Sequence, residues 1–193
     1  MEPLRDLIED AYKNGHAATC LVRAERWLKD HSDDLWITSI YASTLYEMAR
    51  YDDAIRVYTE ALNRFPGASW GIYNRIGQLH RYRGSMSDAE IAFQQAIDVN
   101  PDDASSYIFL GAVQARQGKL LEAEQTHRRA TQCSEGSIEE AYHNLGLVLR
   151  GQGRLPEAAD CFSKAIELDA RYSDAIEALA DVTAALEMQK PQP

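Results

Sequence analysis

Residues 139–172 read EEAYHNLGLVLRGQGRLPEAADCFSKAIELDARY. Within them Tyr142, Leu145, Gly146 and Leu149 follow i, i+3, i+4, i+7 spacing, which marks one face of a helix. Gly151-Gln152-Gly153 then interrupts the pattern. Pro156 falls in the first turn of a second helix, where the missing N–H is one that the turn leaves unbonded anyway. Ala158, Phe162, Ala165 and Ile166 share the inner face of that second helix, and Asp169-Ala170 closes the unit. The stretch therefore predicts a helix hairpin with an apolar seam. Gly146 and Ala158 let the two backbones approach, and Phe162 fills the space beside them.

The same unit recurs along the chain. Ala54, Ala89, Ala123 and Ala158 are spaced by 34 or 35 residues, as are Gly77, Gly111 and Gly146, and Ala61, Ala96, Ala130 and Ala165. A fixed period in this range is the mark of stacked supersecondary units. Punctuation keeps the same phase. Pro66 and Pro101 lie 35 residues apart, just after second helices that end near Arg64 and Val99. Asp102 or Asp103 can cap the helix that follows. Ser87-Asp88-Ala89-Glu90 matches a capping box at the start of a second helix.

These residues resemble the tetratricopeptide-repeat family, whose pattern is W-x2-L-G-x2-Y, then A-x3-F, then P. The last unit has Tyr142-x2-Leu145-Gly146-x2-Leu149 and Ala158-x3-Phe162, with Ala170 in the proline position. Two earlier units have Tyr107-x2-Leu110-Gly111 with Ala123-x3-His127, and Tyr73-x2-Ile76-Gly77 with Ala89-x3-Phe93, the latter ending at Pro101. Before them come Thr38-x2-Tyr41-Ala42-x2-Leu45 and Ala54-x3-Tyr58, ending at Pro66. The resemblance implies an all-α fold, a right-handed superhelical solenoid of antiparallel helix hairpins. The expected parts are a degenerate N-terminal repeat at 1–34, repeats at 35–69, 70–103, 104–138 and 139–172, a capping helix at 173–188 and a flexible tail at 189–193.

Departures from the pattern carry their own expectations. His127 replaces the usual aromatic and Glu135 replaces proline, so the segment from Ala130 to Ile138, around Cys133, is expected to be a looser loop with an extra residue. In the N-terminal unit Leu4, Leu7, Ile8 and Ala11 form one face, Asn14-Gly15 a turn, and Cys20, Ala24, Trp27 and Leu28 a second face. Trp27 stands where later units have alanine, so this unit must pack differently. In the last helix Ile176, Leu179, Ala180 and Leu186 are expected to cover the seam, with Asp174, Glu177 and Asp181 facing water.

The chain has 193 residues, 45 % of them hydrophobic, and a net charge of -10. That composition suits a folded protein. The negative sign disfavours a general nucleic-acid binder, which needs the opposite field. Cys20, Cys133 and Cys161 are odd in number and far apart, which suits a reducing compartment. The acidic, amphipathic start lacks the basic start and apolar run of a signal peptide, and no stretch reaches the length of a membrane span. The expectation is a cytoplasmic protein with no membrane partner.

Catalytic patterns do not emerge. His16, His31, His80, His127 and His143 form no H-E-x-x-H pair and no zinc spacing with cysteine. Gly151-Gln152-Gly153-Arg154 is a turn between helices, not a phosphate cradle. The pairs Asp52-Asp53, Asp102-Asp103 and Glu139-Glu140 sit at helix starts, where they complement the dipole. His127 reads as a partly buried, hydrogen-bonded core histidine, and Cys161 as an inert packing or surface residue. No enzyme, metal or cofactor is predicted.

In the family, first helices line a concave groove that takes peptide segments, and second helices form the back. Off the seam of each first helix lie Trp36, Ser39, Ser43 and Tyr46; Asn74, Gln78, Arg81 and Tyr82; Ser105, Ile108, Ala112 and Arg116; and Glu140, His143, Leu147 and Arg150. The candidate partner-binding residues are Tyr46, Asn74, Gln78, Arg81, Tyr82, Ile108, Ala112, Arg116, His143, Leu147 and Arg150. Arg81, Arg116 and Arg150 share nearly one phase, with Arg75 nearby. Stacking would make them a basic ridge beside an apolar floor of Ile108, Ala112 and Leu147, suited to an acidic or amphipathic peptide. The same arginines also suit the negative ends of their helices. One branch of the family clamps a chaperone's C-terminal carboxylate with lysine and asparagine. The corresponding places here hold Ser39, Ser43, Arg75, Ser105 and Phe109, so that adaptor role is not predicted. The leading reading is an interaction scaffold. The alternatives are a self-assembling subunit, with Trp27 and Trp36 in an apolar end surface, and a targeting module of a larger enzyme.

Overall fold

The computed structural model describes residues 3–189. Among them are eleven α-helices: α1 (Pro3–Lys13), α2 (Ala17–Asp30), α3 (Leu35–Glu47), α4 (Tyr51–Arg64), α5 (Ser69–Arg83), α6 (Met86–Val99), α7 (Ala104–Arg116), α8 (Leu120–Ala130), α9 (Ile138–Gly151), α10 (Leu155–Leu168) and α11 (Ser173–Met188). The chain forms two compact units, residues 1–96 and 97–193. The first holds α1–α5 and most of α6, and the second holds α7–α11. The expected tail lies outside the described residues from position 190 onward.

Each hairpin turns on one left-handed residue. These are Gly15, Ala49, Gly84, Gly118 and Gly153, with φ of 69°, 57°, 89°, 77° and 77°. In each case the next N–H donates back to the carbonyl five residues earlier: His16 to Ala11, Arg50 to Leu45, Ser85 to His80, Lys119 to Gln114 and Arg154 to Leu149, all at 2.8–3.0 Å. That bond closes a helix C-terminus whose last carbonyls have no partner within the helix. Helix starts are also held by side chains. Asp34 accepts from the Ile37 N–H at 3.1 Å, and Asp103 from the Ser106 N–H at 3.2 Å. The capping-box pattern read at Ser87 does not mark the N-cap. α6 already begins at Met86, and the Ala89 N–H bonds to the Ser85 carbonyl, so Ser87 lies inside the first turn.

Small residues set the spacing of the seams. A Cβ added to Gly77 would lie 2.6 Å from the Phe93 ring, one on Gly111 would lie 2.6 Å from the His127 ring, and one on Gly146 would lie 2.5 Å from the Phe162 ring. Phe93, His127 and Phe162 are buried in the places so created. In the first unit Ile8, Ala11, Cys20, Ala24, Trp27, Ile37 and Ile40 make one core cluster. Leu7 departs from the predicted face and is 45 % exposed. Trp27 is buried, stacks on His31 with ring centroids 3.8 Å apart, and donates from Nε1 to Asp34 Oδ2 at 3.1 Å. It is therefore part of the core and not of an apolar end surface. Trp36 stays 55 % exposed, its Nε1 donating to Glu9 Oε1 at 3.1 Å.

Two further expectations change in the second unit. The segment from Ala130 to Ile138 is not loose. The Ala104 N–H donates to the Glu135 carbonyl at 2.9 Å and the Glu135 N–H to the Asp102 carbonyl at 3.1 Å, which pins the extra residue to the start of α7. In α11 the buried stripe is Ala175, Ala178 and Val182, with Leu179 and Leu186 partly covered, while Ile176 and Ala180 are exposed. The stripe is rotated by one position because small residues allow close approach to the cluster of Leu145, Leu149, Ala158 and Phe162.

Candidate functional site

In the first unit, the surface between α3 and α5 carries two open hollows. One, of about 260 Å³, is lined by Ala42, Ser43 and Tyr46 from α3, Tyr58 from α4, and Arg75, Gln78, Leu79 and Tyr82 from α5. The other, of about 180 Å³, is lined by Leu35, Ser39, Ala68, Gly71 and Ile72, again with Tyr58 and Arg75. The two hollows thus follow one another along the helices and share Tyr58 and Arg75. Tyr58 comes from a second helix and reaches between the two first helices. The residue is 4 % exposed. Burial pushes its phenol pKa up, opposed by a hydrogen bond with Ser43, the Arg75 charge and a hydrogen bond with Ser39.

Tyr46 and Tyr82 face each other across the far end of the larger hollow, with ring centroids 5.0 Å apart. A hydrogen bond with Tyr82 is the main cause that raises the Tyr46 phenol pKa. The Arg81 guanidinium lies 5.1 Å over the Tyr82 ring. Arg83, by contrast, is engaged by Asp52 and Asp88.

In the second unit a hollow of about 230 Å³ lies between α7 and α9, lined by Ala112, Ala115, Leu120, His127, Asn144, Leu147 and Val148. His127 sits on its floor. The ring is 1 % exposed, and its Nδ1 has no hydrogen-bond partner. It is a core histidine as expected, but it is fully rather than partly buried, and the expected hydrogen bond is absent at that atom. Desolvation lowers its pKa to about 4, so it is neutral at neutral pH.

The predicted site residues separate into three groups. Tyr46, Gln78 and Tyr82 line the larger hollow of the first unit, and Ala112 and Leu147 line the hollow of the second. Arg81, Arg116 and Arg150 reach the surface. Arg150 is not a free cation there, because its Nη1 lies 3.1 Å from Asp181 Oδ2 on α11. Asn74, Ile108 and His143 are buried and do not belong to the exposed side. His143 instead faces the Tyr172 hydroxyl, with its Nδ1 at 3.2 Å, and packs against the Phe162 ring. Burial is the main cause lowering the His143 pKa, and burial also pushes Tyr172 up to about 12. Tyr58 and Leu79 were not among the predicted residues. The hydroxyl of Tyr58 at a position where two other units carry phenylalanine was the available signal.

Hairpins of this geometry, with glycine against a ring in three seams, match family models described as tetratricopeptide repeat over residues 40–68, 74–138 and 139–172. The chain belongs to the tetratricopeptide-repeat family. Human tetratricopeptide repeat protein 7A is 30% identical over 138 residues, which is 72% of this chain and 16% of that protein. The chain thus spans less than a fifth of the length of that relative. Among solved structures, MamA superposes with a TM-score of 0.71 at 21% identity, covering 90% of this chain and 98% of that one. YrrB, described as a TPR protein with an unusual peptide-binding site, gives 0.62 at 21% identity and covers 86% of this chain and 85% of its own. At these identities the structural likeness bears on the fold, and a tetratricopeptide fold hosts many different partners.

Proposed function

We propose that this tetratricopeptide chain is an interaction scaffold, not a catalyst, and that it binds a peptide segment of a partner on its first-helix surfaces. One observation carries the reading. In each unit the hollows open between successive first helices, α3 with α5 and α7 with α9, and they combine apolar walls with a few polar groups. That YrrB is described as having a peptide-binding site is consistent with this use of the fold. A net charge of -10 argues against nucleic acid as the partner. Three free cysteines suit a reducing, cytoplasmic setting.

The test is to fill the hollows. The double variant Gln78→Trp, Ala112→Trp places an indole in each unit at residues that are partly exposed and line the hollows. Its helicity is checked by circular dichroism. The wild-type chain is expected to select ligands from a random peptide library and the folded double variant to lose them. Equal selection by both proteins would place binding elsewhere and refute the reading.

A further inference from the structure

We infer that the α3–α5 surface of the first unit reads an internal acidic residue of an extended peptide, held by Arg75 between two apolar side chains that enter the flanking hollows. The inference deepens the peptide-binding reading and rests on it.

Charge is the first argument. α3 and α5 together carry one carboxylate, Glu47, against Arg75, Arg81 and Arg83, in a chain with 30 acidic and 20 basic residues. This surface is therefore basic on an acidic protein. Arg83 is held by Asp52 and Asp88, and Arg81 lies over Tyr82. Arg75 is exposed and makes no ion pair among the described residues, so its guanidinium is free to pair with a ligand carboxylate. Arginine suits that task because its planar fork matches two carboxylate oxygens.

Position is the second argument. Arg75 lines both hollows, with Leu35, Ala68 and Ile72 on one side and Ala42, Leu79 and the Tyr46–Tyr82 pair on the other. A chain-terminal carboxylate at Arg75 would leave one hollow empty, because the peptide would stop there. A side-chain carboxylate lets the peptide continue both ways and fill both. Gln78–Leu79 lie seven positions beyond Gly71–Ile72 on α5, or about 10 Å along the helix. An extended peptide presents alternate side chains to one face, so three same-face side chains, at i, i+2 and i+4, span about 13 Å and reach from one hollow into the other past Arg75. The motif implied is an apolar residue, an acidic residue two positions on, and a second apolar residue two positions beyond that.

An array of acetylated, amidated decapeptides carrying this motif with each position varied tests the inference. It is probed with the labelled full chain and with Arg75→Gln, whose helicity is checked by circular dichroism. The wild type should favour Asp or Glu between the two apolar positions, and replacing that acid by its amide should weaken binding about tenfold. Arg75→Gln should lose the acid preference and keep both apolar preferences, while Arg129→Gln, at an exposed position on α8 in the other unit, should behave as wild type. If the wild type binds peptides without favouring an acid, or if Arg75→Gln selects the same acid, the inference fails and the peptide-binding reading survives. If neither protein retains any decapeptide while the hollow-filled double variant still matches wild type in the library selection, both fail.

Discussion

Replacing His127 by phenylalanine should remove an acid sensitivity from the second unit. His127 packs against Gly111 where Phe93 packs against Gly77 and Phe162 against Gly146, so a phenyl ring has two precedents in this chain. The imidazole is 1 % exposed and its Nδ1 has no partner. Its pKa is about 4, because desolvation disfavours the charged form, against an ordinary value of 6.5. An unfolded chain takes up this proton near pH 6.5 and the folded chain does not until about pH 4. The stabilisation is therefore complete above about 6.5, falls as pH drops, and levels off below about 4. The two values correspond to about 3 kcal/mol in full, of which about 2 kcal/mol is lost between pH 7 and pH 5. Urea unfolding followed by circular dichroism at both pH values gives the wild-type loss. Subtracting the loss in His127→Phe cancels the contributions of His80 and His143, whose values are also lowered by burial. The variant should lose about 2 kcal/mol less than wild type. It should also be about 1 kcal/mol more stable at pH 7, since a buried polar atom without a partner is removed. Equal acid sensitivity in the two proteins would refute the account of His127 as a neutral, desolvated core residue.

Other substitutions probe the hairpins by urea midpoint. Ala49 holds a left-handed conformation that glycine holds in the four equivalent turns, so Ala49→Gly should gain up to about 1 kcal/mol. A loss on that change would contradict the turn geometry. Gly146→Ala drives a methyl into the buried Phe162 ring and should cost roughly 1–3 kcal/mol, whereas Gly151→Ala, with nothing within 4 Å, should cost nothing. Ala123→Leu should cost roughly 1–3 kcal/mol by overpacking the seam at a fully buried position, and an unchanged midpoint would refute that placement.

The hairpin seams were legible because their determinants repeat. A glycine in a first helix and an alanine and ring in the second leave the same mark every 34 or 35 residues. Proline and glycine added the turns. What lacked repetition was less legible. Trp27 has no counterpart in other units, and its burial depends on a stack with His31 and a bond to Asp34 that spacing alone does not announce. The segment from Ala130 to Ile138 looked loose because it carries one residue more. Its order comes from backbone bonds to Asp102 and Ala104, which lie far away in sequence. Arg150 looked like a free cation because its partner, Asp181, sits on a different helix.

The errors on the first helices share a geometric cause. Such a helix packs on its own second helix and also on a neighbouring hairpin, so a wide arc of it is buried and only a narrow arc is left open. A periodic pattern drawn for a single seam assigns too much of the circumference to solvent. In α5 the open positions are Arg75, Gln78 and Tyr82, whereas Asn74, one step away, is covered. In α9 Asn144 and Leu147 line the hollow, whereas His143 is covered. One residue is about 100° of rotation on a helix, enough to move a side chain from the open arc to a packed one. The same geometry explains why Arg75 matters more than its place in the sequence suggested. It occupies one of the few first-helix positions that reach the open arc, beside a hydroxyl from the second helix, and it is left without a carboxylate there. A narrow open arc makes each such side chain a large share of what a ligand meets. If peptides bind there as proposed, the chemistry of Arg75 and Tyr58, more than the net charge of the chain, is what the first unit presents to them.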